Sequence, residues 1–82
     1  MHIVIAKVDE VFYDGEAYSL TAPGKDGEMT ILGSHMPLVT TLKPGELLVR
    51  LPAQAGEHGE VKRFLVTGGV LEIRHDGATV IL

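Results

Sequence analysis

The 82-residue chain contains no cysteine and no tryptophan, and its aromatic side chains are two tyrosines and two phenylalanines. Without cysteine there is no disulfide framework and no thiolate metal site. With so few aromatics, a sugar groove built on exposed rings is not expected. Basic residues are also short, with 7 Lys+Arg against 11 Asp+Glu and a formal charge of −4. Nucleic acid is therefore not an expected partner, since phosphate neutralisation needs a basic face. No apolar run approaches the roughly 20 residues that span a bilayer. The start, Met1-His2-Ile3-Val4-Ile5, shows no basic leader followed by a cleavage site, so no signal peptide is expected. No segment of about ten residues or more holds a helical period free of glycine and proline.

What is present is a series of short strands broken by turns. Ile3 to Val8 is rich in β-branched residues. Tyr18 and Leu20 alternate with Ser19 and Thr21; Leu47 and Val49 with Leu48 and Arg50; Phe64 and Val66 with Leu65 and Thr67; Leu71 and Ile73 with Glu72 and Arg74. A final strand is expected from Ala78 to Leu82. The period-two pattern points Tyr18, Leu20, Leu47, Val49, Phe64, Val66, Leu71 and Ile73 inward. Pro23-Gly24 and Pro44-Gly45 fit type II turns, and Asp76-Gly77 fits a tight hairpin. Gly68-Gly69 marks a turn or bulge, and Gln54 to Gly59 a polar hairpin loop. Many short strands in one domain of this size suggest an antiparallel sandwich or a barrel, and the pattern alone does not choose between them. So short a chain buries only about 60–65% of its unfolded surface, which leaves modest stability and suits a partner.

Catalytic and metal chemistry find little support. His2, His35, His58 and His75 are scattered, and no two stand at a ligand spacing. Ser34, His35 and Asp26 are the ingredients of a triad, but a triad is defined by geometry, which sequence proximity does not supply. Gly24-Lys25-Asp26-Gly27 lacks the order of a phosphate loop and is not followed by a helix; a β-turn explains it better. Asp26 and Glu28 read as a solvated acidic loop. No metal, cofactor or catalytic residue is assigned. Met36, between His35 and Pro37, is either a core filler or part of a contact surface. Leu48 points opposite to Leu47 and Val49, so this strand is apolar on both faces and needs cover on both. Leu48, bordered by Leu38 and Met36, is thus the expected apolar patch.

Two segments in order carry a family resemblance: Gly27-Glu28-Met29-Thr30-Ile31-Leu32-Gly33-Ser34-His35-Met36-Pro37-Leu38, running on through Leu42-Lys43-Pro44-Gly45, and Phe64-Leu65-Val66-Thr67-Gly68-Gly69-Val70-Leu71-Glu72-Ile73. Together they resemble the epsilon subunit of rotary F-type ATP synthases, whose signature runs G-E-L-G-I-L-P-G-H-A-P-L. The resemblance implies an all-β fold, a flattened two-sheet sandwich of about ten short, mostly antiparallel strands. It implies a noncatalytic subunit of the rotor central stalk that couples the gamma shaft to the membrane c-ring during ion-driven ATP synthesis. Gamma and the c-ring are the implied partners, with contact to the membrane only through the complex, at the cytoplasmic face of a bacterial inner membrane. The isolated domain is expected to be monomeric or weakly self-associating. Glu28 would lie in the turn facing the ring and His35 on a neighbouring loop near gamma, so that Glu28, His35 and Met36 form one rotor-facing edge. The sequence departs from the signature at Thr30, at Gly33-Ser34 and at Met36, which changes bulk and stiffness at that edge. Residues 1–82 hold nothing that resembles the family's inhibitory C-terminal helical hairpin. A generic β-sandwich module binding a protein or small ligand is the alternative.

Overall fold

Strands form wherever apolar residues recur at period two, because only an extended chain puts such residues on one face. The computed structural model describes residues 1–33, 36–53 and 59–82. Nine strands follow one another: β1 (His2–Lys7), β2 (Glu10–Glu16), β3 (Ser19–Gly24), β4 (Gly27–Leu32), β5 (Leu38–Thr41), β6 (Gly45–Arg50), β7 (Val61–Val66), β8 (Val70–Arg74) and β9 (Gly77–Ile81). They form a five-stranded sheet, β2-β1-β9-β8-β5, and a four-stranded sheet, β4-β3-β6-β7. The fold is all-β, a two-sheet sandwich, with nine strands rather than ten and no helix among the described residues. Every strand pairing is antiparallel except β1 with β9, which joins the two ends of the chain side by side.

The core is the inward face of both sheets. Ile3 and Ile5, Leu71 and Ile73, and Ala78 and Val80 come from one sheet; Leu20, Ala22, Ile31, Leu47 and Val49 come from the other, and all are fully buried. Each large aliphatic side chain among them contributes about 1.5–3 kcal/mol of burial. Six of the eight residues expected inside are buried, and Phe64 is partly buried against the core. Tyr18 is the exception, 61% exposed. β3 begins only at Ser19, so strand parity does not reach back to Tyr18, and Ala17 is buried there instead.

The turns correct the sequence reading in detail. Pro23 and Gly24 end β3, paired with Glu28 and Gly27, and the two-residue turn is Lys25-Asp26. The β3–β6 register runs only over Ser19 to Thr21, so Pro23 lies beyond that ladder and its missing N–H costs no bond there. The last hairpin likewise turns on His75-Asp76, one residue earlier than expected, because Arg74 pairs with Gly77. Gly77 must be glycine, since a Cβ would collide with the His2 carbonyl of the adjacent β1. Gly68-Gly69 carry the chain from one sheet to the other. Gly69 has φ +129°, and a Cβ there would lie 2.6 Å from the Ile81 carbonyl oxygen. The expected loop at Gln54 to Gly59 lies, up to His58, outside the described residues.

The two sides of the sandwich are closed differently. At one, Tyr13 of β2 meets Phe64 of β7 edge-on, with ring centroids 6.3 Å apart. At the other, β4 and β5 leave a cleft of about 700 Å³ between the sheets.

Candidate functional site

In a sheet, residues paired across strands share a face, so register maps the surface row by row. On the outer face of the five-stranded sheet one row reads Val11, Ala6, Ile81, Val70 and Thr41, crossing all five strands. Val11, Ile81 and Val70 are exposed, and Val8 stands fully exposed in the adjoining β1–β2 turn. The next row, Asp14, Val4, Thr79, Glu72 and Val39, is mixed, and the third, Glu16, His2, Gly77 and Arg74, is charged. His2 Nε2 lies 2.6 Å from Asp14 Oδ1, and Arg74 Nη1 donates to Glu72 and to Thr79, both at 2.9 Å. The sheet face therefore grades from apolar at one end to ion-paired at the other.

The four-stranded sheet is different. Its central outer row reads Thr30, Thr21, Leu48 and Arg63, with the two threonine hydroxyls 3.0 Å apart. Arg63 lies 3.6 Å from Glu46. Leu48 is half-buried, with Thr21 and Arg63 paired on either side of it. The continuous apolar patch expected around Leu48 thus lies on the opposite sheet. Leu38 does not border Leu48: it belongs to β5 of the other sheet and pairs with inward-facing Ile73.

The expected common edge of Glu28 and Met36 is also corrected. Lys25 N–H donates to the Thr41 carbonyl at 2.9 Å, and Gly24 bridges Leu42. The β3–β4 turn therefore sits beside the C-terminal end of β5. From Glu28 the chain runs away along β4 and returns along β5, so Met36, 80% exposed in the connection, lies at the far end. Four residues of strand separate the ends by ~13 Å. His35 lies outside the described residues. Glu28 and Leu38 both line the cleft between β4 and β5, along with Asp26, Met29 and Val70. The acidic β3–β4 turn shares its end of the molecule with the apolar row, whose last member is Thr41.

Sequence reasoning missed the members of that row. β2 was not readable as a strand, because Glu10, Asp14, Gly15 and Glu16 interrupt its apolar pattern. The available signal was doubled apolar residues, Val80-Ile81 and Val70-Leu71, which mark strands apolar on both faces. Tyr13 is displaced in acidity: burial, and secondarily the Glu16 carboxylate, push its phenol upward. Its hydroxyl donates to the Glu16 carbonyl at 2.6 Å. Among the described residues no cluster of three or more His, Asp or Glu could hold a metal ion.

Fold and surface together define a small two-sheet β-sandwich with exposed apolar residues on the outer face of its five-stranded sheet. The chain belongs to the family described as the beta-sandwich domain of the ATP synthase delta/epsilon chain, whose model matches residues 1–82. It is 40% identical over 81 residues to an ATP synthase epsilon chain of Laribacter hongkongensis, covering 99% of this chain and 55% of that one. To an ATP synthase epsilon chain 2 of Burkholderia orbicola it is 41% identical over 81 residues, covering 99% and 51%. The chain spans about half the length of these curated relatives. A chain in the cryo-EM structure of Euglena gracilis mitochondrial ATP synthase (OSCP/F1/c-ring) superposes with TM-score 0.82 at 23% identity, over 96% of this chain and 48% of that one. One in the central stalk/c-ring structure of the Tetrahymena thermophila mitochondrial enzyme gives 0.76 at 19%, over 99% and 61%. These two likenesses support the fold.

Proposed function

We propose that this domain is a noncatalytic part of the rotor central stalk of an F-type ATP synthase, coupling the gamma shaft to the c-ring during ion-driven ATP synthesis. It would act at the cytoplasmic face of a bacterial inner membrane, held there by the complex. Among the described residues no helix is long and apolar enough to cross a membrane. Among the described residues there is no helix that could form an inhibitory hairpin, and no cofactor is assigned. Family membership supports the assembly, and the apolar row Val11, Ala6, Ile81 and Val70 carries the reading. A row across five strands with exposed valine and isoleucine is a surface that a permanent partner would cover. We assign it to the gamma shaft. Glu28, at the same end, is assigned to the ring-facing turn. Met36, Leu38 and Leu48 are further candidate contacts, Leu38 and Leu48 on different sheets.

The test is assembly. Val11→Asp with Ile81→Asp places unpaired charge in the row and should release the subunit from the purified complex and lower ion-coupled synthesis. Leu48→Asp, on the opposite face, should do less. Normal retention and synthesis with the row variant would sink the assignment and favour a generic binding module.

A further inference from the structure

Four strands are edges: β2 and β5 in one sheet, β4 and β7 in the other. An edge exposes backbone N–H and C=O groups that can pair with another chain, and proteins blunt it with charge, bulges or proline. β2 carries Glu10, Asp14 and Glu16 and a register shift opposite Ile5/Ala6. β4 carries Glu28, and β7 carries Lys62 and Arg63. β5 has none of these: Leu38-Val39-Thr40-Thr41 holds no charge, no proline and no register shift.

The register shows which of its backbone groups are unused. Leu42 N–H donates to the Gly69 carbonyl at 2.9 Å, continuing the β5–β8 ladder, while Lys25 N–H reaches the Thr41 carbonyl from the other side. Alternate residues of an antiparallel strand turn their backbone groups to opposite sides. Leu38 and Thr40 therefore bond β8, and Val39 and Thr41 turn outward. Thr41 C=O is taken by Lys25. Among the described residues nothing pairs with Val39 N–H, Val39 C=O or Thr41 N–H. The cleft runs alongside, with Leu38, 41% exposed, and Met29 on its walls and Asp26 and Glu28 at the turn.

From this we infer that β5 is a strand-addition site for an extended segment of a partner protein. The segment has apolar residues at alternate positions, to cover Leu38 and Met29, and a basic residue meeting Asp26 and Glu28. Charge favours this occupant over a second copy of the chain, because each copy carries −4. The inference stands apart from the rotor reading, since it concerns how the domain is grasped and not which assembly supplies the segment.

The probe is an N-acetylated, C-amidated peptide Lys-Val-Thr-Val-Thr-Val, titrated into the isotope-labelled chain and followed by amide NMR. Shift changes should be confined to residues 38–41 and 24–29 and to Val70, and the Val39 and Thr41 amides should gain exchange protection. N-methylation of one alternate set of peptide amides should abolish binding, and of the other set should not. Val39→Pro removes an outward donor from an edge strand, where proline is tolerated, and should weaken binding about two- to tenfold. Val39→Thr keeps the donor and should bind as well as the parent. The inference is overturned by no binding at millimolar peptide, by indifference to N-methylation, or by shifts centred on β2, β4 or β7. Concentration-dependent broadening of residues 38–41 without peptide would also overturn it, because a second copy would then be the occupant.

Discussion

Leu47 and Leu48 are adjacent, identical in chemistry and opposite in consequence. Leu47 is fully buried and Leu48 half-buried among threonines and Arg63. Leu47→Ala should cost about 2–5 kcal/mol, because burial is lost and a cavity remains; Leu48→Ala should cost under about 1 kcal/mol. Denaturant titration of the two variants measures the difference directly, and equal losses would mean that the strand is turned over. Tyr13 gives a pH prediction with a definite sign. Its phenol is raised in the folded state, so the protonated form is favoured by folding. Stability from this group is complete below the unfolded value near 10, and is lost as pH rises through the folded value. Tyr13→Phe should flatten that alkaline decline, at the loss of the hydrogen bond to the Glu16 carbonyl, worth about 1 kcal/mol. An undiminished alkaline slope in the phenylalanine variant would assign it to another group.

At the level of strands, legibility followed burial. β6 and β8 each place one face on the core, and their inward residues, Leu47 and Val49, Leu71 and Ile73, stand at period two in the sequence even though Leu48 and Val70 add apolar residues to the outer face. β2 was not readable, since its inward positions are Tyr13 and Gly15, and a glycine lying beside a tyrosine ring gives no hydrophobic period. Pro23-Gly24 misled for a related reason: the dipeptide has turn chemistry, but the β6 ladder has ended beside it and β3 tolerates it. The shared end of Glu28 and Met36 came from resemblance alone, and the path along β4 and back along β5 separates them. Strand order makes a prediction that sequence could not. β9 lies between β1 and β8 and is the middle strand of its sheet, so its ladder amides should exchange most slowly with solvent. Along β5, Thr40 should be protected while Val39 and Thr41 exchange quickly. Uniform protection across β5 in the isolated chain would show that its outer edge is already paired.

For the molecule as a whole, the balance of charge bears on ATP. A nucleotide triphosphate needs converging N–H donors or cations, commonly a glycine-rich loop opening a helix. The described residues form no helix. The loop most like a phosphate cradle, Lys25-Asp26, is a two-residue hairpin turn with Glu28 close behind. The lining of the adjoining cleft holds Lys25 and two carboxylates, Asp26 and Glu28, so a polyanion meets net repulsion there, on a chain already at −4. Isothermal calorimetry of the 82-residue chain with magnesium-ATP should therefore show no micromolar binding, the level that corresponds to about −8 kcal/mol. It should also show no hydrolysis. A saturable micromolar isotherm that survives Lys25→Ala would place nucleotide on a face that the charge argument does not reach, and one abolished by that substitution would show the turn to be a phosphate site after all.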